Sequence, residues 1–173
     1  KGFGKGKIIL VAIGKAAWQM AKTAVGILDG RISAGIVITK YGHSKGTLPP
    51  LEIWEAGHPV PDENSLKATQ RAIELVQGLQ EEDTVLFLIS GGGSALFEKP
   101  LISLQELQSI TSDLLASGAD IVSMNTIRKR LSSVKGGKFA HLCAPAKVYA
   151  IVLSDIIGDP LDMIASGPAY PDS

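Results

Sequence analysis

Five short, mostly apolar runs recur along the chain: KIILVAIG (7–14), AGIVITK (34–40), LEIWEA (51–56), VLFLIS (85–90) and VYAIVLS (148–154). A strand with one face in water alternates apolar and polar residues. Most of these runs are apolar at nearly every position, so the sheet they form must be covered on both faces. Helix-like segments lie between them. KAAWQMAKTAVGILDG carries Ala16, Met20, Ala24 and Leu28 at helical spacing, and NSLKATQRAIELVQGLQ carries Ala68, Ala72, Leu75 and Leu79 behind a polar N-cap. LISLQELQSITSDLLASG (101–118) reads as a helix stopped by Gly118, and IVSMNTIRKRLSSV (121–134) as another that ends before KGG. The pattern predicts a single α/β domain over residues 1–173, a mostly parallel, Rossmann-like sheet with helices on both faces. The chain opens almost on a strand and closes in the glycine- and proline-rich DIIGDPLDMIASGPAYPDS, so truncation at both ends is expected.

Ligands of such sheets collect outside the carboxyl ends of the strands. Three unusual segments fall there: Gly14-Lys15 after the first run, Ser90-Gly91-Gly92-Gly93-Ser94 after the fourth, and Ser154-Asp155 after the last. The fold therefore predicts one crevice built from all three. Lysine plus arginine and aspartate plus glutamate number 17 each, a formal net charge of zero. No overall field draws this chain to nucleic acid or to an anionic membrane, and any anion site must be local. The single cysteine, Cys143, excludes an intrachain disulfide framework within these residues and fits a reducing compartment. No apolar run is long enough to span a membrane, and KGFGKGK followed by IILVAIG has no small-residue cleavage site, so the cytoplasm is the expected location.

Glycine loses the most conformational freedom on folding, so three in a row behind a strand cost stability unless bare backbone is needed. One glycine satisfies a turn. The SGGGS segment, Ser90 to Ser94, adds two more and two hydroxyls, the ingredients of a nest for phosphate or carboxylate oxygens. It has neither common nucleotide spacing: GxxxxGK[ST] is absent, and the glycine-rich GFGKGK precedes its strand. The plainer alternative is a turn whose glycines let strand and helix pack. Lys15 stands at the mouth of the sheet, where an ammonium can meet developing negative charge, or can simply be solvated at a helix start. Asn125, Arg128 and Lys129 share one helical side and, with Lys135 before a glycine pair, form a basic patch in a neutral protein. Arg128 suits a carboxylate and the lysines suit phosphate, although an exposed basic face is the commoner fate of such runs. Asp155 and Asp159 in SDIIGDP can hold Mg²⁺, and Asp155 can accept a substrate proton; an Asx turn and helix cap is the alternative. His58 lies between glycine and proline in GHPVPD, where it can reach a ligand, although a loop-anchoring hydrogen bond is the commoner role, and His43 and His141 have no recognisable partners. A serine hydrolase built on Ser94 lacks both the closing glycine of GxSxG and a histidine after Asp155.

Five segments taken together, GKAA (14–17), GHPVPD (57–62), SGGGSAL (90–96), NTIRKRLSSVKGG (125–137) and SDIIGDPLDMIASGP (154–168), resemble the glycerate 2-kinase family, also labelled hydroxypyruvate reductase. The resemblance covers nearly the whole chain in order. It implies ATP- and Mg²⁺-dependent phosphorylation of D-glycerate at its 2-hydroxyl, in a two-domain protein whose site lies between the domains. This chain resembles the larger N-terminal domain without its first helices and last segment, and without the smaller C-terminal domain. The resemblance places a catalytic lysine on Lys15, the glycine loop on Ser90 to Ser94, and the Asn/Arg/Lys and Ser-Asp segments on Asn125, Arg128, Lys129, Lys135, Ser154 and Asp155. Ala169 departs from it, because threonine commonly follows Gly-Pro there. Two rivals stand beside the kinase: a nicotinamide-dependent hydroxypyruvate reductase, which would need a dinucleotide fingerprint, and a non-catalytic anion- or nucleotide-binding module. Association between copies of the chain is left open.

Overall fold

Each apolar run forms a strand. In the computed structural model, which describes residues 5–154, 164 and 167–169, these are β1 (Ile8–Ile13), β2 (Ala34–Lys40), β3 (Leu51–Ala56), β4 (Thr84–Ser90) and β5 (Lys147–Leu153). They join in one sheet of order β3-β2-β1-β4-β5, every neighbouring pair parallel. From β1 the chain moves outward to β2 and β3, then crosses back to lay β4 on the other side of β1. The sheet thus has its topological switch point between β1 and β4, where crevices open in this class of fold. The register levels the carboxyl ends: Ile13 pairs with both Ile38 and Ile89, and Ser90 pairs with Leu153. Gly14-Lys15, Ser90-Gly91 and Ser154 leave the sheet at one height.

The helices are α1 (Ala17–Leu28), α2 (Glu63–Val76), α3 (Gly93–Leu96), α4 (Leu104–Ala116), α5 (Ile121–Arg130) and α6 (Lys138–Leu142). Strand alternation sorts the core into two clusters. Ile9, Val11, Ile13, Val85, Phe87 and Ile89 face α2 through Ala68, Ala72, Ile73 and Val76. Ile8, Leu10, Ala12, Leu86 and Leu88 face α1 through Ala17, Trp18 and Ala21. Phe87, Phe97 and Phe139 meet edge-on or tilted, with centroids 4.9 to 5.7 Å apart, and so tie β4, the end of α3 and α6 together. Capping boxes start two helices, Asp62 with Ser65 on α2 and Ser103 with Glu106 on α4, and the Asp120 side chain caps α5.

Three details differ from the sequence reading. The buried stripe of α1 is Ala17, Trp18 and Ala21, with Met20, Ala24 and Leu28 at its flank. Its Trp18 indole N–H donates to the Gly46 carbonyl at 2.9 Å, which turns that side inward. Helix α5 stops at Arg130 instead of Val134, because Ser132 pairs with Pro100 and the Lys138 ammonium takes the carbonyls of Lys129 and Ser132 at 2.9 and 2.6 Å. Finally, α3 and α6 are short helices inside segments that show no helical period. On the α1 side of the sheet, β5 keeps Tyr149, Ile151 and Leu153 half exposed.

Candidate active site

The β1–α1 and β4–α3 turns are joined by hydrogen bonds. The Lys15 N–H donates to the Gly91 carbonyl at 2.9 Å. Ser90, 2 % exposed, turns its hydroxyl into the structure: Oγ accepts from the Ala16 N–H and donates to the Ile13 carbonyl, both at 3.1 Å. Thr39, at the end of β2, donates to the Gly14 carbonyl at 3.0 Å. Gly14 sits at φ 110°, and a Cβ there would overlap the Ser90 hydroxyl and carbonyl. These contacts fix the two turns edge to edge, and a cleft of about 290 Å³ opens beside them, lined by Lys15, Ala16, Ser90, Gly91, Leu153 and Ser154. Three of the predicted segments therefore do converge. A larger, mainly apolar trough of about 390 Å³ lies between α1 and β4–β5, with Gln19 and Thr23 the polar side chains on its wall and no charged group among its lining residues.

Gly92 shows why a glycine is required one step further on. It has φ 87°, and a Cβ built on it would stand 2.9 Å from His58 Cδ2, 3.0 Å from His58 Nε2 and 3.3 Å from Lys15 Cε. The bare backbone of the loop thus seats an imidazole and a lysine stem side by side. His43 lies behind them, with Nδ1 3.3 Å from the Lys15 carbonyl oxygen. Burial, then the neighbouring charges of Lys15, Lys40 and His43, lower the His58 pKa below the ordinary histidine value.

Lys135 reaches the same loop from beneath. It is fully buried, and its ammonium donates to the carbonyls of Ser94 at 2.6 Å and Phe97 at 3.1 Å, with the Glu98 carboxylate at 3.5 Å. Burial pulls its pKa down to about 8, against the raising effect of Glu98. Glu98 is itself held from both sides: its N–H donates to the Thr69 hydroxyl, and its Oε1 accepts from the Lys99 N–H. Lys135 therefore holds the turn of α3 behind Gly93 and Ser94 and does not line the cleft.

On α5, the three residues read as one basic face lie in different surroundings. Lys129 is 5 % exposed, Asn125 is half-buried, and Arg128 is half-buried with its Nε shielded and unbonded among the described residues. Burial lowers the Arg128 pKa, opposed by the charge of Glu98. Arg128 lines a cavity of about 200 Å³ with Pro59, Val60 and Pro61, the loop that also carries His58. The basic character of this last turn also complements the carboxyl end of the helix dipole. Asp155 and Asp159 lie outside the described residues, and among the described residues no cluster of three or more His, Cys, Asp or Glu could hold a metal ion.

Residues 2–173 match the family described as "Domain of unknown function (DUF4147)". The chain belongs to the DUF4147 family. As a DUF4147 chain it is 63 % identical over 169 residues to a Thermotoga maritima protein named "D-glycerate 2-kinase", covering 96 % of this chain and 40 % of the relative. It is 46 % identical to a Pyrococcus horikoshii protein named "Glycerate 2-kinase", covering 97 % of this chain and 38 % of the relative. A crystal structure of glycerate kinase from Thermotoga maritima superposes with a TM-score of 0.94 at 62 % identity, over 97 % of this chain and 41 % of that one. The chain thus spans about 40 % of the length of its relatives. The DUF4147 match includes every site segment described above.

Of the two roles the sequence of this DUF4147 chain allows His58, the loop-anchoring bond is not the one seen: its ring lies on the glycine loop, where a ligand could be reached. Glu98 and Thr39 went unread, because an isolated glutamate after an apolar turn and a threonine at a strand end carry no local signal. The repeated GGG was the available clue to His58, since bare backbone implies that something lies on it.

Proposed function

We propose that this chain forms the nucleotide- and substrate-facing part of an ATP-dependent kinase that phosphorylates D-glycerate at its 2-hydroxyl, giving 2-phosphoglycerate. What supports this most is the convergence of Lys15, the SGGGS loop and Ser154 in one cleft at the switch point, in a chain so similar to a protein named "D-glycerate 2-kinase". Phosphoryl transfer asks little covalent chemistry of a protein; it needs positioned groups that match spreading negative charge. In this reading Lys15 and the backbone of Gly91, Gly92 and Gly93 hold phosphoryl oxygens, with Ser90 fixing the two turns and Ser94 closing the loop. Arg128 takes the glycerate carboxylate, with Asn125 and Lys129 beside it, and Lys135 supports the loop from below.

Residues 1–173 act as one α/β domain in a two-domain protein, with a further C-terminal domain completing the site, and the reaction runs in the cytoplasm. ATP supplies the phosphoryl group. Mg²⁺ would be held by Asp155, which follows Ser154 directly in the sequence, with Asp159 as a second ligand.

Adding D-glycerate and ATP to the full polypeptide is expected to release ADP, while hydroxypyruvate with NADH leaves the NADH absorbance unchanged. Lys15→Met is expected to lower kcat by about 100-fold or more with the thermal unfolding midpoint nearly unchanged. Unaltered turnover would remove Lys15 from the mechanism, and NADH oxidation without ADP release would favour the reductase.

A further inference from the structure

The loop that carries His58 is held firmly. Asp62 accepts the Ser65 N–H at 3.0 Å and the Tyr41 hydroxyl at 2.8 Å, and the Gly57 N–H bonds to it as well. Gly57 is packed so closely that a Cβ there would stand 2.6 Å from the Val60 carbonyl oxygen and 3.0 Å from the Asp62 carboxylate. A loop closed by its own N-cap residue presents its side chains with little freedom, as a reacting group requires. The presented group is the His58 imidazole, lying on Gly92 beside the end of Lys15. Among the described residues neither ring nitrogen makes a hydrogen bond.

A half-buried imidazole with both nitrogens uncommitted, placed at the rim of an anion-binding loop, is equipped to meet a ligand atom. The charged and titratable groups acting on it are Lys15 from the β1–α1 turn, Lys40 from the end of β2, and His43 from the loop after β2. All are basic, and the glycine loop beneath it carries no titratable side chain. Such surroundings favour the neutral ring, which can accept a proton, over the imidazolium, which cannot.

We propose that His58 is a further catalytic residue, the base that takes the proton of the acceptor hydroxyl during phosphoryl transfer. The inference rests on the kinase reading above. As the 2-hydroxyl oxygen of glycerate forms its bond to the γ-phosphorus, its proton passes to the free nitrogen of His58. The bond between that phosphorus and the β–γ bridging oxygen breaks, its electron pair leaving with ADP. The imidazolium then returns its proton to solvent. Lys15, on the same glycine, faces the phosphoryl oxygens, so one residue of backbone aligns the base and the cation. Asp155 is thereby left to the metal.

The test uses the full polypeptide with ATP and D-glycerate from pH 5 to 9, comparing wild type, His58→Gln and His58→Ala. Wild-type kcat is expected to rise through an ionisation whose midpoint lies below the ordinary histidine value of 6.5. Both variants are expected to lose about 100-fold in kcat and to lose that acidic limb, with KM for ATP moved less than about threefold. A role confined to anchoring the loop would leave the limb in place. Variants that keep kcat within about threefold, or keep the limb, overturn the proposal while leaving the kinase reading intact. If neither variant folds, the NMR titration of the wild-type His58 ring decides, since its midpoint in the substrate complex must coincide with that of kcat. Wild type that releases no ADP removes the kinase reading and this role with it.

Discussion

Lys135 shows how one side chain can set the shape of a site without entering it. Its ammonium collects the Ser94 and Phe97 carbonyls under the glycine loop, and it is fully buried. Burial brings its folded-state pKa to about 8, from an ordinary 10.5. At neutral pH the group is protonated in the folded and the unfolded chain, and its desolvation cost is fully present. Between pH 8 and 10.5 the unfolded chain still holds the proton that the folded chain has released, so the cost is relieved and stability rises with pH. Comparing wild type with Lys135→Met isolates this contribution from other groups, such as the buried Cys143 thiol, whose pKa is pushed up to about 12 and acts in the opposite sense. Urea unfolding at pH 7.5 and 9.5 is expected to show the wild type gaining on the variant by on the order of 2 kcal/mol. A constant difference would mean that the ammonium is not desolvated.

At the scale of elements, the β1–α1 and β4–α3 turns work as a unit, and their two glycines fail in different ways. Gly14→Ala places a methyl against the fixed backbone and hydroxyl of Ser90 at φ 110°. It is expected to destabilise by more than about 3 kcal/mol in urea titrations. Gly92→Ala meets the tips of two side chains, His58 and Lys15, which can swing aside. Its expected loss is about 1–2 kcal/mol, from the left-handed backbone, while turnover falls far more steeply than stability. The strands were legible because the middle of a strand buried on both faces is apolar at every position, as β4 is from Val85 to Ile89. The helices α3 and α6 were not, since GSAL and KFAHL are too short to show a period. For the site, the position of SGGGS was legible from strand order. The inward turn of the Ser90 hydroxyl and the burial of Lys135 were not, because both are set by segments 41 to 77 residues away.

Over the whole molecule, burial is uneven across the sheet. Leu88 of β4 is 2 % exposed, and its partner across the ladder, Ile151 of β5, is 54 % exposed. The same deletion of carbon should therefore have very different costs one strand apart. Leu88→Ala is expected to lose about 2–5 kcal/mol, whereas Ile151→Ala loses less than about 1 kcal/mol, both read from urea midpoints of the 173-residue chain. Equal losses would show that the β5 face is covered.

The placement of β1 at the centre of the sheet also has a history in time. Within these residues it is made before the other strands, and its second neighbour β4 pairs with it across 76 positions of chain. At ordinary elongation speeds one apolar edge of β1 stays open for about 4 to 15 s. The closing of that edge is the same event that brings Gly91 onto Lys15, so the edge is protected from mispairing and the proposed site is assembled at one moment. Chains arrested before β4 emerges should accordingly bind no ATP.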